Sequence, residues 1–492
     1  GLGEIVTADA NGRNQRKVSS QPGHYAHPRF SPNGETIVFE RRSGGNLTDE
    51  AWSENPGVYR IAASGGTPEL VARDLGSPQF GGNDDRLFMT GREDGQIQLV
   101  STDLNGEARR VHAKGELITE FSVAPDGRYI AFRQNYDVFT APLMPGSQAV
   151  EIGADSSALP VTRVSKGGAD YIGWSGGGSQ LNWSLGPNLY SAQTSAMFPA
   201  APPEKDAPGF VPPTSGTSLA MTLPAAKHSG TVALTGARIL TMTGDGAGAI
   251  EDGVIVIVDD RISAIGPRSD VTIPSGAKVI DQAGRTIMPG LIDAHAHGSQ
   301  GTGDLIPQQN WELVQNLALG TTTLHDPSSQ ASMIFAAAER QRTGNLLAPR
   351  IFSTGEIIYG AKAPDVYAQI DSYEDALAHV RRIKAQGGIS VKNYNQPRRE
   401  QRQQVVSASL AENMLVVAEG GSLFGMDMAL VADGNSTLEH NVPLEYFYED
   451  VLQFFGQSQT NYTPTLVVTY GGLAGDPYWR QATDVWKNPL LV

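Results

Sequence analysis

The sequence predicts a multidomain protein: a partial β-propeller, then a small β-sandwich, then an α/β barrel of the TIM (β/α)8 type, incomplete at its C-terminus. Three observations predict it. A hairpin motif recurs every 40–50 residues through the first 195 positions. A strand-only stretch occupies 230–288, and strand–helix alternation begins at Gly290.

The repeat comes first. Phe30–Phe39, Phe80–Phe88, Val123–Phe132 and Trp174–Trp183 each read as a strand, a Gly/Asp/Asn turn and an alternating strand. Their starts lie 50, 43 and 51 residues apart, the period of propeller blades. Outer-strand phrases such as Val58–Ile61 and Ile97–Val100 fall between them. The four phrases resemble the "F-S-P-D/N-G-x-x-I-x-F" repeat of TolB-like propellers. That resemblance implies a propeller over 1–195 with about four blades visible and earlier blades missing. It also implies a periplasmic or extracellular location, although no signal peptide is visible.

Residues 196–229 are rich in Pro, Ala, Ser and Gly and read as a linker or strap. Residues 230–288 carry strands at Val232–Thr235, Gly253–Val258, Ile262–Ile265 and Lys278–Asp281. From 289 to 492 seven barrel strands are expected: Gly290–His297, Thr321–His325, Arg350–Ser353, Ile389–Tyr394, Leu415–Glu419, Thr437–His440 and Tyr462–Val468. Helices intervene, as at Ser372–Gln386, where Ala376, Leu377, Val380 and Ile383 fall near helical spacing. An eighth strand is expected beyond the last residue, so the chain reads as a fragment of a longer protein.

Composition excludes several classes. A formal charge of −15 suits no phosphate-rich partner, so no nucleic acid is expected. The absence of cysteine excludes disulfides, zinc–thiolate sites and cysteine nucleophiles. No run of about 18 apolar residues is present, so no membrane-spanning helix is expected. The Ser- and Gly-rich run around 173–178, which includes Gly173-Trp174-Ser175-Gly176-Gly177, reads as part of a propeller hairpin rather than a nucleophile elbow, and no phosphate-binding glycine loop occurs.

The chemistry-bearing residues follow barrel order. His295 and His297 are alternate residues at a predicted strand end, so both imidazoles should face one side and could bind a divalent metal. The run Thr286–His297 resembles the "PGxIDxHxH" first strand of the amidohydrolase superfamily, in its imidazolonepropionase-like and prolidase-like branch. The resemblance implies a metal site of His295, His297, Lys392 and His440. Lys392 in Val391-Lys392 would be the carbamylated, metal-bridging lysine. His440 in Glu439-His440-Asn441 would be the strand-six ligand, with Glu439 pointing away. Glu419 stands where many relatives have histidine. It reads as a metal ligand or as a carboxylate orienting one.

His325 and Tyr394 are candidate substrate contacts, with a packed histidine held by Asp326 and a barrel-wall aromatic as the alternatives. Tyr359 and Tyr470 are weaker candidates, and Asp293 reads as support for the first strand. His24, His27, His112, His228 and His379 read as structural.

The resemblance implies one or two divalent ions, zinc by analogy, and hydrolysis of an amide, cyclic amide or small Xaa-Pro-type peptide by a metal-activated hydroxide. The general-base aspartate expected on strand eight is not in this chain. The partner would be a small-molecule amide or dipeptide, and a homo-oligomer is compatible with the sequence. Two other readings stay open. One is a propeller-based binding or scaffold protein with a degenerate barrel. The other is a deaminase or isomerase on the same barrel.

Overall fold

Each repeated phrase folds as an antiparallel hairpin at one edge of its own sheet. In the computed structural model the described residues are all but 1–2, 43–54, 145, 147, 201–208, 244–247, 302–304, 365, 466–483, 485–486 and 488–492. The four hairpins pair Phe30 with Ile37, Phe80 with Leu87, Val123 with Ile130 and Ser175 with Gln180. Gly34 (φ 75°) and Gly127 (φ 69°) supply the left-handed turn residues in two of them. Around the hairpins form sheets of four, five, four and four strands in chain order. Phe39, Leu87, Phe132 and Trp183 are among the side chains that fill their cores.

Glu40 links the first sheet to the second. Its carboxylate lies 3.3 Å from His27 Nδ1, accepts from Arg42 Nε at 3.0 Å, and accepts from Ser77 N at 3.0 Å. Burial raises its pKa, but the hydrogen bonds from His27, Ser77 and Arg42 outweigh that and hold it at about 2.

The expected linker straps two units together. Thr217 and Ser218 add an antiparallel strand to Asn188–Leu189, and Ala226 N donates to the Thr343 carbonyl at 2.9 Å. Residues 231–287 form one five-stranded mixed sheet with apolar clusters around Ala233 and Ile239. A second layer of the expected sandwich is not seen among the described residues.

The strand–helix region carries seven parallel strands, close to their expected positions: β1 (Leu291–Asp293), β2 (Thr321–Asp326), β3 (Arg350–Ser353), β4 (Ser390–Asn393), β5 (Leu415–Glu419), β6 (Thr437–Glu439) and β7 (Asn461–Thr463). Among the described residues they form two sheets, β1–β2–β3 and β4–β5–β6–β7, rather than a closed barrel. Ile358 joins them by bridging to Asn393, its N–H reaching the Lys392 carbonyl at 3.0 Å. Helices α1 (Trp311–Ala318), α2 (Ala331–Arg342), α3 (Tyr373–Gln386), α4 (Arg399–Ala411), α5 (Phe424–Ala432) and α6 (Glu449–Gln457) alternate with the strands. Helix α3 begins with a Ser372/Asp375 capping box, buries Ala376, Val380 and Ile383, and ends at Gly387 (φ 118°). β1 is an edge strand, and Ile292 on it is 70% exposed. Tyr470 and the end of the expected seventh strand lie outside the described residues.

Because the folded pKa of Glu40 lies below its ordinary 4.5, the stability it contributes is present above pH 4.5 and lost as pH falls toward 2. Urea midpoints measured across that window should drop for the wild type and drop less for Glu40→Gln.

Candidate active site

The sequence places polar residues where the parallel strands end, and the structure brings them to one place. Lys392 lies on β4, whose four residues are all buried. Its side chain is 2% exposed, and Nζ lies 2.7 Å from Glu419 Oε2. A buried ammonium requires such a partner. Glu419 ends β5, and its other oxygen lies 3.0 Å from His440 Nε2. Burial raises the Glu419 pKa, but the His440 hydrogen bond and the Lys392 charge overcome it and hold the carboxylate at about 2. Glu419 is therefore ionised and bridges two donors.

The glycines after Glu419 have a geometric cause. A Cβ on Gly420 would sit 2.2 Å from the Glu439 carbonyl, to which Gly420 N donates at 3.1 Å. Gly421 N donates to Asp427 Oδ1 at 2.8 Å. The backbone must pass close to β6 here to bring Glu419 toward His440. Gly290 plays a similar part before β1, where a Cβ would lie 2.1 Å from Thr322 Oγ1.

Three expectations are corrected. His295 and His297 do not end a strand, because β1 stops at Asp293, with His295 in the turn that follows and His297 in the loop just beyond. Asp293 supports that turn by accepting from His295 N at 3.1 Å, and the His325 carbonyl accepts from Ala296 N at 3.0 Å. Glu439 does not point away. It is 1% exposed and pairs with His295 Nδ1. The alternation of the strand fails because His440 takes φ 68°, which ends β6 and turns its own ring back to the same side. Asp326 does not hold His325. Its Oδ1 lies 3.4 Å from His297 Nδ1.

The three imidazoles of His295, His297 and His440 form a cluster. The ring of His295 lies 5.0 Å from that of His297 and 5.0 Å from that of His440. His440 Nδ1 is buried with no hydrogen-bond partner. Among the described residues, no three His, Asp or Glu side chains already stand in coordinating positions. The donor set nevertheless fits a divalent cation: three imidazoles, one of them with an orphaned nitrogen, beside an ionised carboxylate.

His325 is committed to packing. Nε2 lies 2.8 Å from Ser390 Oγ, the ring also bonds the Ala294 backbone, and burial lowers its pKa. Tyr394 hydrogen-bonds Glu419, and its ring packs edge-on against Tyr359 at 4.7 Å. Burial, then the Glu419 charge, raises its pKa, so the phenol stays protonated. A cavity of about 500 Å³ opens beside Glu419 and His440, walled by Val442, Pro443 and Leu444. The contacts of Glu439 and Asp326 with the histidine cluster are what the sequence reading missed. The one available signal for Glu439 was a carboxylate placed between Leu438 and His440 inside a predicted strand. Of the remaining histidines, His112 meets Ser101 Oγ at 2.6 Å and His379 meets the Gln369 carbonyl at 3.2 Å, both packing roles.

No family model matches the chain. The chain is 51% identical over 63 residues to an imidazolonepropionase of Sphingopyxis alaskensis, covering 13% of this chain and 15% of that protein. It is 32% identical over 100 residues to a 5-methylthioadenosine/S-adenosylhomocysteine deaminase of Nitratidesulfovibrio vulgaris, covering 19% and 22%. The chain thus spans under a quarter of either relative. A solved Xaa-Pro dipeptidase with bound methionine aligns over 48% of this chain and 67% of its own at 19% identity, with a TM-score of 0.40.

The Lys392–Glu419 pair should show strong coupling. In metal-free protein, Lys392→Met or Glu419→Gln alone leaves a buried charge unpaired and should cost about 3–5 kcal/mol. The double variant should recover most of that loss in a denaturant cycle, whereas simple additivity would contradict the pairing.

Proposed function

We propose that the chain carries the metal-binding part of an amidohydrolase that cleaves a carbon–nitrogen bond in a small amide, cyclic amide or short peptide. The observation that carries the reading is the convergence of Lys392, Glu419, His440, His295 and His297 at the ends of β1, β4, β5 and β6. The superfamily of the two sequence relatives supports it.

His295, His297 and His440 would hold the cation, with Glu419 as an oxygen ligand. A divalent ion there would supply the charge that polarises a carbonyl and acidifies water. Tyr394, protonated and bonded to Glu419, would give up that bond to donate its one O–H to the substrate carbonyl oxygen. The apolar wall of Val442, Pro443 and Leu444 would take the neighbouring apolar part of the substrate and exclude water there. His325, with both ring nitrogens engaged, would position the His295–His297 turn rather than touch substrate.

Carbamylation of Lys392 by carbon dioxide belongs to the same proposal, and charge couples it to the metal. As an ammonium, Lys392 neutralises Glu419. As a carbamate it would set two buried anions side by side, which is tolerable only with a divalent cation between or beside them. Modification and metal loading should therefore rise and fall together. We read the four N-terminal sheets as blades of a TolB-like propeller, which would put the protein in the periplasm or outside the cell.

One observation favours a second reading. The Lys392–Glu419–His440 network satisfies its own charge without any metal, as a degenerate, non-catalytic barrel would. Elemental analysis of protein purified without chelator decides between them. The enzyme reading expects one or two divalent ions per chain, lost together with hydrolysis of a model amide or dipeptide on chelation and restored on adding metal. Lys392→Ala should lose both. No bound metal, or amide cleavage that survives chelation, would overturn it.

A further inference from the structure

The two residues that the sequence reading set aside share one geometry. Each histidine of the His295-Ala296-His297 turn meets a buried carboxylate through Nδ1. His295 pairs with Glu439, and His297 lies 3.4 Å from Asp326. Glu439 is 1% exposed and Asp326 2%. Neither carboxylate is free to move. Glu439 Oε1 accepts from Thr437 Oγ1 at 2.6 Å, and its backbone carbonyl accepts from Gly420 N. Asp326 Oδ1 accepts from Ser328 N at 2.9 Å, and the Asp326 carbonyl accepts from Thr354 N at 3.1 Å. They come from different strands, β6 and β2, so the turn is clamped from two sides.

Resting on the metal-site reading above, we propose that Glu439 and Asp326 are positioning residues that fix the ring orientation and tautomer of His295 and His297, so that Nε2 of each is the ligating nitrogen. The reasoning is chemical. A carboxylate accepts only, so the nitrogen facing it carries the proton. A neutral imidazole protonated on Nδ1 has its lone pair on Nε2. The negative charge behind the ring also makes Nε2 more basic and a better ligand. The turn needs this help. It lies beyond the end of β1, so no strand pleat aims the rings, and His297 is 58% exposed. The His295 contact is the tighter of the two, so Glu439 should matter more.

The test reads metal affinity and coordination rather than turnover. Competition of the metal-free protein with a chromophoric chelator gives the affinity of wild type, Glu439→Gln, Glu439→Ala and Asp326→Asn. Glu439→Gln keeps an acceptor without the charge and should weaken binding about 10-fold, and Glu439→Ala up to about 100-fold. Asp326→Asn should weaken it less than Glu439→Gln. The cobalt(II) absorption spectrum of the loaded Glu439→Gln protein should keep the wild-type band positions and intensities, because its ligands are unchanged. Thermal unfolding of the metal-free variants separates misfolding from weakened binding, and Glu439→Gln should stay folded. Wild-type affinity in both Glu439 variants would overturn the proposal while leaving the metal site intact. Altered cobalt bands in Glu439→Gln would also overturn it, by making Glu439 a ligand itself. A wild-type chain that takes up no metal would overturn the metal site and this inference together.

Discussion

The buried Glu419 carboxylate is the constraint on which the rest of the site depends. It is 12% exposed and faces Lys392, itself 2% exposed. Two charges in such a place cost several kcal/mol each in lost hydration, and only close mutual pairing offsets that. The pairing in turn fixes backbone. β4, β5 and β6 must lie side by side, with Lys392 across from Val417 and Glu419 level with Glu439. Gly420 must lack a Cβ so that the chain can turn over β6. His440 must adopt φ 68° to bring its ring to the free side of the carboxylate.

What could be read in the sequence was what depends on local period. The four hairpins, helix α3 with its cap, five of the seven parallel strands to within a few residues and the start of β7 are written in alternation, glycine placement and helical spacing. β1 is the exception. Its polar and apolar residues promise a strand through His297, yet pairing with β2 ends at Asp293. Lys392 was legible because a lysine inside an apolar strand has few structural excuses. Glu439 was not, since strand alternation turns it away from His440, and only the positive φ at His440 cancels that rule. Asp326 was assigned to its sequence neighbour His325, whereas the contact it makes crosses to His297 in the segment after β1. Tertiary contacts of that kind leave no local trace.

The N-terminal sheets meet the parallel region through its helical layer. Arg382 of α3 is the centre of the seam. It is 3% exposed, its Nη1 lies 2.9 Å from Glu356, and its guanidinium stacks 3.7 Å over the Tyr136 ring. Gln386 donates to Asp170 at 3.0 Å. A Cβ on Gly186 would lie 2.0 Å from the Ala385 carbonyl, so the last N-terminal hairpin packs directly on the end of α3.

That contact bears on the site through chain connectivity. Only Gly387, Gly388 and Ile389 separate the end of α3 from β4, and Lys392 is the third residue of β4. Gly387 sits in the left-handed region, and a Cβ on Gly388 would lie 2.5 Å from Ile383, so this connection is tight. A shift of α3 at the seam would therefore be carried into the strand that presents Lys392 to Glu419. The sheets and the candidate metal site are then mechanically joined even though none of the seam residues touches the site. A role for the N-terminal unit in holding α3 and β4 in register follows from packing alone, without requiring the sheets to contact substrate.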